Sequence, residues 1–357
     1  MEDVESLLKG PRGRRLCLEL AMEADQEVRL TVFYLGYDLD PGKGTSRVML
    51  SMASSGEASP PPPAPTVSDL ARMLSELDVK DRIQGLTGTA LIRAIDAARY
   101  WQPPDGDDVL AANPVINRAL GHLATTILEA PSTDWWSNRF QAKQWTIDWR
   151  SPNDPAPLST NPSDVLAEWS RHERTMEHRA ARERPADINA NYGGEWWSIP
   201  YRLTQTFSRI PEGLGLIEDS LGWEEGTVIP VSGSGRILEL ETAEDWATLC
   251  RDFPFEVTAS RRHDWYRTTG RDGRWVIPDW ERVAGRWDAV HLSVSAYLRL
   301  AGRALDVDTA EGTASVIAGW NPDTTLWLTD VLRETGEPRQ FWNREHNQDR
   351  WEQQRTH

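Results

Sequence analysis

The alternation of apolar and polar positions changes texture along the chain. Residues 14–51 carry short apolar stretches, RLTVFYLGY (29–37) and SRVMLS (46–51), whose pattern predicts strands, or one strand and a short helix. Together they predict a small N-terminal α/β segment over residues 1–50. Ser, Ala and Gly around four consecutive prolines then predict an extended linker over 51–66. From 67 to 185 the period becomes helical. VSDLARMLSEL places Leu70, Met73, Leu74 and Leu77 on one face behind a capping Ser68. ALIRAIDAARYW (90–101) repeats the pattern, and PVINRALGHLATTILEA (114–130) opens with proline in its first turn. PSDVLAEWSRHERTMEHRAARER (162–184) predicts a helix capped near Ser163 and stopped by Pro185.

After residue 190 short strands, turns and a few helices alternate. GLGLIEDS (213–220), with a strand ending just ahead of Glu218, leads to TVIPVSGSGRILELE (227–241), which reads as a hairpin turning at SGSG. TAEDWATLCRD (242–252) predicts a helix capped by Thr242, and PDWERVAGRW (278–287) another. DAVHLSV is then a strand, SAYLRLAGRAL a helix, and TASVIAGW and TTLWLTDV two further strands. The fold class is therefore α+β: a helical N-terminal half, then a mixed, tryptophan-rich α+β domain over 190–332 and a polar tail over 333–357.

Composition narrows the function classes. A net charge of −16 argues against nucleic acid as a partner. No apolar run approaches the length of a membrane helix, and the acidic start, MEDVE, lacks the order of a signal peptide, so a cytoplasmic protein with no membrane partner is expected. The two cysteines, Cys17 and Cys250, provide neither a disulfide framework nor a cysteine zinc site, and no metal is expected. HExxH, GxSxG and GxxxxGK[ST] are absent; GYDLDPGKGT (36–45) misses the phosphate-loop spacing, and DVDTAEG (306–312) reads as an acidic turn.

Candidate chemistry concentrates in the second half. RRHDWYRTTGRDGRWVIPDW (261–280) reads as a loop between a strand and a helix. There Arg261, Arg262 and Arg267 are placed to fork onto a phosphate or carboxylate, Trp265 and Tyr266 to stack a ring, and His263 to move a proton. Alternation in DAVHLSV puts His291 and Ser293 on one face as a second candidate pair. In YGGEWWSIPYR, Glu195 beside two tryptophans is a third acid–base candidate; IEDSLGWEEG offers Glu218 and Asp219 as an acid pair at a sheet edge. The Glu195-Trp-Trp-Ser run echoes Asp134-Trp-Trp-Ser, best explained as convergent packing.

The arginine bias and tryptophan-rich texture of 190–330 resemble uncharacterised actinobacterial proteins. VHLS (290–293) and LWLTD (326–330) are similar to short motifs of the ADP-ribosyltransferase-like group, which includes RNA 2′-phosphotransferases. That resemblance implies NAD as cofactor and a catalytic role for His291; the group's HGT-type histidine motif and ExE pair are absent. The expectation is an enzyme, transferase-like, that binds a nucleotide-bearing or otherwise anionic small molecule in the C-terminal domain. The alternative is an interaction protein that meets a protein partner through exposed tryptophans and the tail segment 339–354.

Overall fold

The computed structural model describes residues 2–43, 64–150, 156–158, 161–220, 222–345 and 350–354. Most of the 51–66 linker and the stretch SRVMLS lie outside them. The first half is helical: α1 (Glu2–Lys9), α2 (Pro11–Ala24), α3 (Gln26–Leu39), α4 (Val67–Glu76), α5 (Ile83–Asp96), α6 (Gly106–Ala112), α7 (Pro114–Ala119) and α8 (Gly121–Leu128). RLTVFYLGY is thus part of a helix and not a strand. Asp25 decides this by accepting hydrogen bonds from the amides of Glu27 and Val28, which starts α3. Val28, Thr31, Val32 and Gly36 then face inward at helical spacing, while Leu30, Phe33 and Tyr34 stay exposed. The caps of α4 and of the long helix also sit two residues earlier than expected. Thr66 forms a capping box with Asp69.

The rest of the chain runs β1 (Lys143–Asp148), α9 (Pro162–Glu183), β2 (Gln205–Phe207), β3 (Glu225–Ser232), β4 (Ile237–Leu240) and α10 (Ala243–Asp252). Then come β5 (Pro254–Glu256), α11 (Thr258–Thr269), β6 (Arg274–Pro278), α12 (Trp280–Val283), β7 (Ala289–Leu292) and α13 (Val294–Leu300). The chain finishes with β8 (Leu305–Asp308), β9 (Thr313–Ser315), β10 (Thr324–Trp327), β11 (Arg333–Glu334), β12 (Gln340–Asn343) and β13 (Glu352–Gln353). Asn161 caps α9 and Thr242 caps α10, the latter as the sequence predicts. The helical first half and sheet-rich second half make the fold α+β.

The main sheet has the order β13-β12-β3-β1-β2-β10-β7-β4, with β11 pairing β3. All its pairs are antiparallel except β4 with β7. The expected hairpin at SGSG therefore does not form: β3 pairs with β1 and β12, and β4 joins the opposite edge. Gly233 lies directly against the Trp327 ring, where a Cβ would come within 2.2 Å, and there the chain crosses over β10. The strand expected just ahead of Glu218 is also absent, replaced by a single 3₁₀ turn at Glu212–Leu214. A second, smaller sheet, β5-β6-β9-β8, packs beside α10 and α11. The polar C-terminal stretch supplies β12 against β3 and buries Trp351.

One continuous core joins the two halves, from Leu16, Leu20, Leu91 and Ile95 to Trp246, Trp280 and Trp320. On the helical side α2 is central, packing against α3, α5, α6 and α13. Its buried Arg12 is bonded to Asp108 and to the Ala94 carbonyl, and Arg15 meets Glu19, Asp105, Asp107 and Asp108. Helices α3 and α6 cross at two glycines: a Cβ on Gly106 would stand 1.8 Å from the Gly36 carbonyl oxygen. Backbone cannot yield there as a flexible side chain would, so Gly106→Ala is expected to cost about 1–3 kcal/mol in urea unfolding. A substitution without effect would mean that the crossing relaxes freely.

Candidate functional site

The arginine-rich stretch 261–280 is not a loop. Its first part is helix α11, ended by Gly270 in the left-handed conformation (φ 74°), and its second part is β6. The side chains placed there as ligand contacts are spent within the protein. Arg261 is fully buried, 2.7 Å from Glu173 of α9, and donates to the Trp197 carbonyl. Arg262 pairs with Asp272 and donates to the Ala186 carbonyl. Arg267 is bonded to Asp264 and donates to the Tyr192 carbonyl at 2.8 Å. The Trp265 indole N–H donates to the Trp196 carbonyl, and Asp264 accepts from the Gly194 amide. His263 is buried against the Tyr192 ring and hydrogen-bonds the Asp187 carbonyl through Nε2; burial pushes its pKa down. Tyr266 is half-buried. Two candidate stretches thus meet, but through main-chain contacts. Helix α11 is a bracket that fixes residues 192–197. Gly193 is required at the join, since a Cβ there would come within 2.2 Å of the Asp264 carboxyl.

His291 is likewise internal. Both faces of β7 are covered, so the expected alternation of an apolar and a polar face is lost, and all four strand residues are buried. The imidazole sits 3.1 Å from the Thr325 hydroxyl and 3.3 Å from the Asn138 carbonyl, and burial pulls its pKa down to about 4. Ser293 caps α13 by accepting from the Ala296 amide. Glu195 accepts from, or pairs with, His172 at 3.2 Å. Of these nine residues, only Arg267 lines a principal cleft, a shallow one beside Tyr192 and Trp101.

The deeper cleft is built by other residues. It encloses about 580 Å³ over the face of β1 and β2. Trp149 and Trp223 stack on one side, ring centroids 4.7 Å apart. Trp196 and Trp197 stack at 4.3 Å, with Tyr201 5.2 Å from Trp197. The bracket of α11 positions the second pair, and Gly319 (φ 74°) lies beneath it, where a Cβ would meet the Trp197 ring at 2.4 Å. Trp223 is the one exposed tryptophan, at 37%.

Glu218 also lines this cleft. Its carboxyl Oε1 accepts from the hydroxyl of Tyr297, on α13, at 2.6 Å and from that of Tyr100, which follows α5. Oε2 is shielded from water without a hydrogen bond of ordinary geometry, although the Gly319 amide lies near enough to favour the ionised form. The Glu218 amide donates to Asn321, and the next residue, Asp219, sits in the left-handed region (φ 46°), paired with Arg99. Burial lifts the Glu218 pKa to about 7, against the two tyrosine bonds and the charge of Arg12, which pull it down. The acid pair named from sequence is therefore split: Glu218 faces the tryptophan-lined cleft and Asp219 the shallow one. Periodicity gave no hint of Tyr100, Tyr297 or Trp149 as its companions. Among the described residues no cluster of His, Cys, Asp and Glu is arranged to hold a metal ion, and no helix is long and apolar enough to cross a membrane.

Two stability predictions follow from these placements. Arg261→Ala leaves Glu173 buried and unpaired and should cost about 3–5 kcal/mol in urea unfolding, whereas Arg262→Ala, whose partner Asp272 is half exposed, should cost under about 1 kcal/mol. Equal effects would sink the bracket assignment. Folded Glu218 releases its proton near 7 and an ordinary glutamate near 4.5, so stability falls as pH rises through that window. His291 acts in the opposite sense, losing stability as pH falls from 6.5 toward 4. Asp107 and Asp323, both lifted to about 6 by burial, are common to wild type and variant. Glu218→Gln should thus gain about 1–3 kcal/mol relative to wild type at pH 8 over pH 5; an unchanged difference would contradict the raised carboxyl. Compared with protein-family models, curated proteins and solved structures, this chain matches none.

Proposed function

We propose that this protein is an enzyme that binds a ring-bearing small molecule in the tryptophan-lined cleft and uses Glu218 to donate or accept a proton. The observation that carries the reading is a shielded carboxyl at about 7, held by two tyrosine hydroxyls at the wall of an aromatic cleft. A group titrating near neutrality supplies either proton state at working pH, which is what general acid–base catalysis requires. Indole faces recognise flat or sugar-like rings by stacking and attract cations, and a carboxyl favours a neutral or cationic reacting centre. The two arginines in the lining, Arg150 and Arg202, are paired with Asp148 and Glu168, so the cleft offers stacking ahead of anion capture. This ligand class differs from a phosphate-clamped nucleotide. NAD enters the test as one member of a panel, since its nicotinamide and adenine rings suit stacking.

The reading is tested by quenching of intrinsic tryptophan fluorescence with NAD, nicotinamide, adenosine, a methyl glucoside and benzyltrimethylammonium. At least one should quench saturably, with affinity reduced about tenfold in Trp223→Ala, a loss of about 1.4 kcal/mol. Glu218→Gln should keep that affinity within about threefold while removing any turnover. Quenching by none of them, or quenching that survives unchanged in both Trp223→Ala and Trp149→Ala, would overturn it.

A further inference from the structure

A second cavity, of about 400 Å³, opens on the helical side of Tyr100, at the start of α2. Its polar wall holds Arg12, Arg14, Arg99 and Asp108 and its apolar wall Leu39, Val109 and Ala112, with the rim residues Leu39 and Val109 exposed to water at 41% and 36%.

Arg14 is unusual among the arginines of this chain. Most of the others meet a carboxylate. Arg14 spends Nη1 on the carbonyls of Leu8 and Lys9, at the end of α1, and makes no other hydrogen bond among the described residues. Its Nε is shielded from water and unpartnered. What remains is Nη2, a charged donor from which a phosphate or carboxylate oxygen can accept. Asp108, the carboxylate that most favours the Arg14 charge, is already bonded to Arg12 and lies 3.5 Å from Arg15.

A second cation, outside the lining but close enough for its charge to act on Arg14, has no counter-ion among the described residues. Arg303 follows Gly302, which lines the cavity, and its one hydrogen bond is donated to the Arg299 carbonyl. Both arginines are half-buried. Burial lowers the pKa of each, and the charges of Arg12 and Arg303 lower that of Arg14 further. The other cations here are matched: Arg12 by Asp108, Arg99 by Asp219 and Arg299 by Asp3. Helix α2, which begins at the cavity, has neither a capping side chain nor an acidic residue in its first turn, so its positive end is also uncompensated. Desolvating two positive charges within electrostatic reach of each other costs free energy that an anion beside Arg14 would return.

We propose that this cavity is a binding site for a small organic anion, a phosphate or carboxylate group on an apolar body, bonded by Nη2 of Arg14 and attracted by Arg303. The apolar walls receive the body of the ligand. The site is separate from the cleft of Glu218 and does not rest on the function proposed for it.

The test is isothermal titration calorimetry of the full chain with phenyl phosphate, phenylacetate and, as the uncharged control, benzyl alcohol. At least one anion should bind about tenfold or more tightly than benzyl alcohol, and more weakly as salt is added. The preferred anion tells phosphate from carboxylate ligands. Arg14→Gln and Arg303→Gln should each weaken it about fivefold or more, while Trp223→Ala leaves it unchanged. Arg14 also holds the end of α1, so Arg303→Gln is the decisive variant if Arg14→Gln fails to fold. Anions that bind no better than benzyl alcohol at millimolar concentration, or Arg303→Gln with wild-type affinity, would overturn the proposal. Loss of binding in Trp223→Ala with the arginine variants unaffected would place the anion in the cleft instead and likewise overturn it.

Discussion

The carboxyl of Glu218 is the point on which the two halves of the molecule close. It lies on an irregular segment between β2 and β3, yet its hydrogen-bond donors come from the helical half, Tyr100, and from α13, Tyr297. A carboxyl removed from water in this way is tolerable only with such donors or with a proton, and here it has the donors and a raised affinity for the proton. The surrounding structure serves that arrangement. Arg12 is held in place by Asp108, Asp219 takes a left-handed backbone beside it, and Gly319 leaves room for the indoles above.

Tryptophan does two different jobs here, and the same dipeptide illustrates both. Trp136, in the first Trp-Trp pair, is buried among the helices, whereas Trp196 and Trp197, in the second, are half-buried and form a cleft wall. The difference arises from what lies behind them. The first pair occupies a 3₁₀ turn against the helical core. The second belongs to a segment without regular structure, so its position has to be imposed from outside. Helix α11 does this with Arg261, Trp265 and Arg267, each donating to a carbonyl of residues 192–197. A cluster that looks like a ligand clamp in sequence is therefore a clamp on the protein's own main chain.

The α+β class was legible because long helical periods such as 162–184 and cap residues such as Thr242 are local signals. What escaped the sequence was set by distant contacts. Helix α11 is polar around most of its circumference, so its period is hidden; its buried face includes Arg261, His263, Asp264 and Trp265, which pair with α9 and the 192–197 segment. Helix α3 carries β-branched and aromatic residues that suit a strand, and its Asp25 cap and the glycine crossing with α6 override that preference. The SGSG turn looked like a hairpin because pairing partners cannot be read from a turn alone. Glu218 was visible as an acid, but its neighbours Tyr100, Tyr297 and Trp149 lie up to 118 positions away, beyond the reach of any motif.

The strand order carries a consequence for how the chain reaches this state. The strands at the middle of the main sheet, β1, β2, β10 and β7, span residues 143 to 327, and β10 arrives last although it sits between β2 and β7. Until that strand is in place, β2 and β7 each keep one unsatisfied edge, and the cleft lacks Gly319 and Asn321. Loop closure over such separations makes assembly of the sheet slow relative to that of the helical half. During synthesis the helices can pack first and wait, with two open strand edges as the species most exposed to aggregation.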